Sequence, residues 1–202
     1  VGSAIAAKFL AAHTGNPTFS KEIIYTYISD GGIQEEISLG AARIAGKLQL
    51  DNLIMFYDAN EIQLSTETSD VMAEDTGAKY RAMGWEVFEI DGNDVPQIRT
   101  AIEAAQKVVG KPTLIIGRCI MGKGALQADG SSYERSCKTH GAPLGGDAYV
   151  NTVKNLGGDP ENPFVIFDDV KEIYAKRAIE LETIAAERHA EEEEWAKANP
   201  EM

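Results

Sequence analysis

The sequence is poor in residues that staple, span membranes or grip polyanions. Only two cysteines occur, Cys119 and Cys137, too few for a disulfide framework or a zinc site, and a reducing cytoplasm is the expected setting. No run approaches the ~18 apolar residues of a membrane span, and the opening residues do not read as a signal peptide. Positive charge is scarce, with 19 Lys and Arg against 32 Asp and Glu, a net −13. That sign repels nucleic acid and anionic membranes, so neither is an expected partner. The excess is uneven, since positions 168–202 hold 11 acids and 5 bases. Val1 stands where a methionine would open a complete chain, and helix-like sequence follows at once, so the expectation is a part of a longer protein. The remaining composition, 44% hydrophobic and 25% charged over 202 residues, is that of one globular domain. A domain of this size buries about 70% of its unfolded surface without covalent staples.

What is present alternates. Val1–His13 has helical spacing and stops at Gly15 and Pro17. Ile23–Ile28 is a near-continuous β-branched and aromatic run, which reads as a strand buried on both faces. It ends in the turn formers Ser29-Asp30-Gly31-Gly32. A helical stripe follows at Ile33, Ile37, Ala41, Ile44, Ala45 and Leu48. Leu53–Tyr57 reads as a second buried strand, Val71–Met83 as a helix closed by Gly84, and Trp85–Ile90 as a shorter strand. Asp94 with Gln97 has capping-box spacing before a helix, and Pro112–Ile116 is the next strand. Such alternation predicts an α/β fold, a doubly wound, mainly parallel sheet with helices on both faces. Periodicity lapses over 121–163, apart from a short helical pattern at Asp147–Leu156, and a loop of that length is usually functional. A long helix follows over 168–198, with Val170, Ile173, Tyr174, Arg177, Leu181 and Ile184 on one side and Asp169 and Glu172 at capping-box spacing. The run Glu191–Glu194 reads as its solvated end.

Ligands in an open parallel sheet bind beyond the carboxyl ends of the strands. Two such ends carry useful chemistry here. Asp30-Gly31-Gly32 stands directly before a helix, where glycines admit a phosphate to the backbone and free N–H groups face it. Asp30 repels a bare phosphate but can hold the divalent cation that neutralises one. Asn60 lies thirty residues later, the interval of strand end, helix, strand and next strand end. A carboxylate, an amide oxygen and a backbone carbonyl are hard donors suited to Mg²⁺ or Ca²⁺.

The run Ser29-Asp30-Gly31-Gly32-Ile33-Gln34-Glu35, followed by Tyr57-Asp58-Ala59-Asn60-Glu61-Ile62, resembles the thiamine diphosphate motif of transketolases. Four further segments are similar to that family in the same order: Ala73-Glu74-Asp75 through Tyr80 to Gly84-Trp85-Glu86-Val87, then Gly92-Asn93-Asp94, Lys111–Ile115 and Thr139-His140-Gly141-Ala142-Pro143-Leu144. The resemblance implies that 1–202 is a diphosphate-binding domain incomplete at its N-terminus, whose last helix leads to a pyrimidine-binding domain outside this sequence. It implies transfer of a two-carbon ketol unit from a ketose phosphate to an aldose phosphate with thiamine diphosphate, in a homodimer. Asp30, Asn60 and the carbonyl of Ile62 would then bind Mg²⁺ or Ca²⁺, and Gly31 would approach the diphosphate. His140 would be the catalytic histidine over the diphosphate, and Glu35 would join a carboxylate network at the subunit interface. Ser29 departs from the family's first glycine, Glu61 from its usual asparagine or lysine, and Gly40 from an interface glutamate found in some members. His13 and His189 receive no role, and the two cysteines read as packing or exposed thiols. The alternatives are another thiamine diphosphate enzyme (a deoxyxylulose phosphate synthase or a 2-oxo-acid dehydrogenase component) and a non-catalytic binding subunit of a split enzyme. Gln34-Glu35 and the His140 loop count against the first.

Overall fold

A computed structural model describes residues 1–201. In chain order its elements are α1 (Gly2–Thr14), α2 (Pro17–Ser20), β1 (Ile24–Ser29), α3 (Asp30–Gln34), α4 (Glu36–Lys47), β2 (Leu53–Ala59), α5 (Thr76–Ala82), β3 (Glu86–Asp91), α6 (Val95–Ala105), β4 (Thr113–Arg118), α7 (Gly146–Asn155) and α8 (Asp168–Ala198). Single 3₁₀ turns lie at Thr68–Asp70 and Cys137–Thr139. Two compact units result. One comprises Val1 and Ile23–Glu161; the other comprises Gly2–Glu22 and the described part of Asn162–Met202.

The first unit holds a wholly parallel sheet of order β1-β2-β4-β3. From β2 the chain passes over β4 to reach β3, then reverses to β4. Right-handed crossovers in this order place α4 and α5 on one face and α6 on the other, the doubly wound arrangement expected. On the first face Trp85 Nε1 donates to the Ala42 carbonyl at 2.8 Å, and its ring meets Tyr80 edge-on with centroids 5.2 Å apart. On the second, Ala101 and Ala105 of α6 pack with Ile54 and Ile115. The central strands are buried on both faces, as their apolar runs require. The register sets Ser29 beside Asp58, Asp58 beside Gly117 and Gly117 beside Ile90, so all four strands end level.

Four expectations need correction. The first strand is an edge strand that alternates, with Tyr25 and Tyr27 exposed, the latter by 81%. The packed face of α4 is Leu39, Ala42 and Ala45, whereas Ile37, Ile44 and Leu48 lie exposed. Small residues win because the helix sits close: a Cβ on Gly46 would lie 1.8 Å from the Met83 carbonyl oxygen. The helix expected from Val71 begins at Thr76, because Asp75 caps it by accepting from Ala78 N–H at 2.9 Å. In the second unit α8 runs as expected but, among the described residues, buries none, and its N-cap is Phe167, while the Asp169 carboxylate accepts from Val170 N–H and makes no side-chain cap. Within that unit Lys21 pairs with Glu191 at 2.7 Å, so the acidic run is anchored at its first member.

Candidate cofactor and metal site

The chain leaves β1 at Ser29 and turns directly into α3, which puts Asp30 at the tip of the sheet. Gly31 and Gly32 are poor helix formers, and the helical stretch ends after Gln34, with Glu35 extended at ψ 134° before α4 begins. Gly32 is also required by packing, since a Cβ there would approach Ile28 Cγ1 to 2.9 Å. At Gly31 a Cβ would meet nothing within 4 Å, so that side of the turn is open to a ligand.

Asp30 is only 2% exposed, and among the described residues its carboxylate is held by the tip of β2. Tyr57 donates its hydroxyl to Oδ1 at 2.7 Å; the backbone N–H groups of Asn60 and Glu61 both donate to Oδ2 at 3.1 Å. The left-handed conformation of Glu61, φ 67°, accompanies this convergence of two successive N–H groups, which makes a small anion-binding concavity. Burial raises the Asp30 carboxyl above its ordinary range, the Tyr57 and backbone hydrogen bonds oppose this, and the Asp58 charge adds to it. Burial and the Asp30 carboxylate likewise push the Tyr57 hydroxyl up. Asn60 is buried, and its Oδ1 accepts from Ile62 N–H at 3.0 Å. Ile62 is buried and bridges to Glu67. Asp30, Asn60 and Ile62 therefore belong to one hydrogen-bonded tip.

The donor set fits a hard divalent cation. A carboxylate offers about four lone-pair sites, of which three are taken, and the Asn60 oxygen retains one of its two. Among the described residues no cluster of three or more His, Cys, Asp or Glu side chains forms. A cation held here would need a carbonyl, water or ligand oxygens to complete its coordination, as is common for Mg²⁺. Beside the tip lies a cavity of about 580 Å³, apolar at Tyr25, Tyr27, Ile54 and Phe56 and polar at Asp58 and Asn60. Asp58 Oδ1 is buried with no partner among the described residues. Burial and the Asp58 carboxylate push the nearby Cys119 thiol up to about 12.

His140 follows the second 3₁₀ turn, its N–H on the Cys137 carbonyl at 3.1 Å and its buried Nδ1 without a partner among the described residues. Its neighbour Thr139 packs on Gly122, which lines the same cavity as Asn60. Asp30, Gly31, Asn60 and Ile62 thus come together, whereas His140 lies on a separate loop and Glu35 is exposed after α3. Tyr57 and Asp58 stand within the motif without any role of their own assigned from sequence. Their one signal was a hydroxyl and a carboxylate ending a strand otherwise composed for burial. Sequence reading passed over a chain of alternating charges, Arg81–Glu89–Arg118–Glu61–Arg135, with separations of 3.1 to 3.8 Å along this rim.

Comparison with known proteins supplies the deciding observation: the sequence profile of the transketolase thiamine diphosphate binding domain matches residues 1–202. The chain belongs to this family. Among curated transketolases, that of Staphylococcus epidermidis is 39% identical over 189 residues, covering 90% of this chain and 28% of that protein. Transketolase 2 of Xanthobacter flavus is 36% identical over 180 residues, covering 88% and 25%. The crystal structure of the Pichia stipitis transketolase complex with sedoheptulose 7-phosphate superposes with a TM-score of 0.90 at 31% identity, over 99% of this chain and 29% of that one. The Campylobacter jejuni transketolase gives 0.85 at 34% identity, over 97% and 30%. The chain thus spans between a quarter and a third of the length of the transketolases it matches.

Proposed function

We propose that this chain provides the metal–diphosphate half of a transketolase site, at which a two-carbon ketol unit passes from a ketose phosphate to an aldose phosphate. The observation that carries the reading is the placement of the Asp30 carboxylate on the Asn60 backbone, at level and adjacent strand ends. Asp30, the Asn60 amide oxygen and the Ile62 carbonyl would hold Mg²⁺ or Ca²⁺, and Gly31 would face the diphosphate across its open side. Thiamine diphosphate, when bound, supplies carbanion stabilisation, which protein side chains do not offer. The chain's own task is to hold and orient. Buried Asp30 supplies fixed negative charge, the N–H groups of Asn60 and Glu61 keep it in place, and His140 is assigned to donate a hydrogen bond to cofactor or substrate.

Further transketolase domains and a second subunit are proposed to complete the site, with Glu35 at the subunit interface. The exposed stripe Ile37, Ile44 and Leu48 on α4, directly after Glu35, supports such a contact. No described helix is long and apolar enough to cross a membrane, and the two free thiols fit the cytoplasm. Calorimetric titration with thiamine diphosphate and Mg²⁺ tests the reading: binding that needs both, and that Asp30→Asn removes, supports it. Cation-independent binding refutes it. The isolated chain is expected to transfer no ketol units from xylulose 5-phosphate to ribose 5-phosphate, and measurable transfer would defeat the division of labour proposed.

A further inference from the structure

Among the described residues, Tyr57 is the one side chain that holds the Asp30 carboxylate; the other two donors are backbone groups. The ring is buried in a central strand, so its hydroxyl needs a partner, and it finds Asp30 Oδ1 at 2.7 Å. The two N–H groups act on Oδ2 alone and do not themselves fix Oδ1 against rotation about the Cβ–Cγ bond. The Tyr57 hydroxyl removes this last freedom. From this three-point hold, and resting on the function proposed above, we infer that Tyr57 is a positioning residue that sets which divalent cation the site accepts.

The two candidate cations differ in the required direction. Mg²⁺ demands near-ideal octahedral geometry at 2.0–2.1 Å, whereas Ca²⁺ accepts 6–8 oxygens at 2.3–2.6 Å in flexible arrangements. A carboxylate pinned at both oxygens suits the first; one pinned at a single oxygen suits the second. Loss of an outer partner of a metal ligand typically costs 10–100-fold in affinity, and here the loss should fall unequally.

The test is Tyr57→Phe in the full chain, which keeps every carbon atom of the buried ring and removes one hydroxyl. Thiamine diphosphate affinity is measured by calorimetry at saturating Mg²⁺ and, separately, at saturating Ca²⁺, with folding checked by circular dichroism. The Mg²⁺-supported affinity is expected to fall about 10-fold or more, while the Ca²⁺-supported affinity changes less than about 3-fold, so the ratio moves toward Ca²⁺. Val87→Ala, a buried change on the edge strand β3 that is paired with Leu114 and not with β2, should leave the ratio where it is. A merely structural role lowers both affinities together, and that result, or no change in either, overturns the inference. Absence of cation-dependent binding in the unaltered chain overturns the proposed function instead, and this inference with it.

Discussion

Asp30→Asn separates the charge of the proposed metal ligand from its place in the fold. An alanine would be the wrong probe, because it strands the Tyr57 hydroxyl and two N–H groups, each a loss of about 1–3 kcal/mol when buried and unpaired. Asparagine keeps the shape. Its amide oxygen can accept from the two N–H groups, and its amide nitrogen can donate to the Tyr57 oxygen. Only the negative charge is lost. Burial holds the folded-state carboxyl above its ordinary 3.8, so the folded protein takes up a proton more readily than the unfolded chain. A raised carboxyl contributes stability below the unfolded value, and that contribution is lost as pH rises through the folded value. At pH 7 with chelator, the permanently neutral asparagine should therefore leave the protein at least as stable as the parent. The gap should close on acidification to below 3.8, where the aspartate is uncharged in the folded and the unfolded chain alike.

Ligand reverses the order. Loss of a charged ligand from a divalent site should cost the Mg²⁺–thiamine diphosphate affinity at least ~100-fold, about 2.8 kcal/mol at 1.4 kcal/mol per decade. At ligand concentrations near 100 times the parent's dissociation constant, binding stabilises the parent by about 2.7 kcal/mol and the variant hardly at all. Thermal unfolding with chelator, and again with cofactor and Mg²⁺, reads both halves. Destabilisation of Asp30→Asn by more than about 3 kcal/mol in chelator would show that the charge is structural. Unchanged affinity would show that Asp30 binds no cation. Either result refutes the reasoning.

Other expectations follow from single contacts. Gly31→Ala should keep the unfolding midpoint or raise it slightly, because its Cβ enters open space and alanine is the better helix former, yet weaken Mg²⁺–thiamine diphosphate binding about 10-fold by titration if that space admits the diphosphate; unchanged affinity would place the phosphates elsewhere. Gly46→Ala should destabilise the protein by about 2 kcal/mol or more in urea unfolding, despite the better helix propensity of alanine, because the obstacle at 1.8 Å is backbone. A stabilised variant would mean that α4 does not lie against Met83. Cys119, with its thiol pushed up to about 12, should react with iodoacetamide at pH 8 on the order of a thousandfold more slowly than an ordinary cysteine, thiolate being scarcer in that proportion. Mass spectrometry of the labelled peptide checks this, and rapid labelling would contradict the burial beside Asp58.

The parts legible in the sequence are those where one physical demand acts alone. β2 and β4 are covered on both faces, so nearly every position is apolar, buried Thr113 apart, and the runs Leu53–Tyr57 and Pro112–Ile116 say so. β1 has the same look with a different cause: at a sheet edge, Tyr25 and Tyr27 satisfy β propensity while facing outward, and a single sequence does not distinguish that from burial. α4 carries two stripes, one large and one small, and periodicity favours the large. Close approach favours the small, because the backbone of Gly46 meets that of Met83, which is a property of the pair and not of the helix. The site divides in the same way. Asp30 and Asn60 were readable because parallel strands joined by one helix must end near each other, so their spacing encodes adjacency. Tyr57 was not, since its role depends on which face of β2 its ring takes and on how α3 turns Asp30 inward, and neither leaves a mark in spacing. The chemically interchangeable part of a cation site, its hard oxygens, is thus written in residue types. The rigidity proposed to decide among cations is written in a hydrogen bond from β2 to the first residue of α3, and there the variant Tyr57→Phe should change the site's preference without changing any of its proposed ligands.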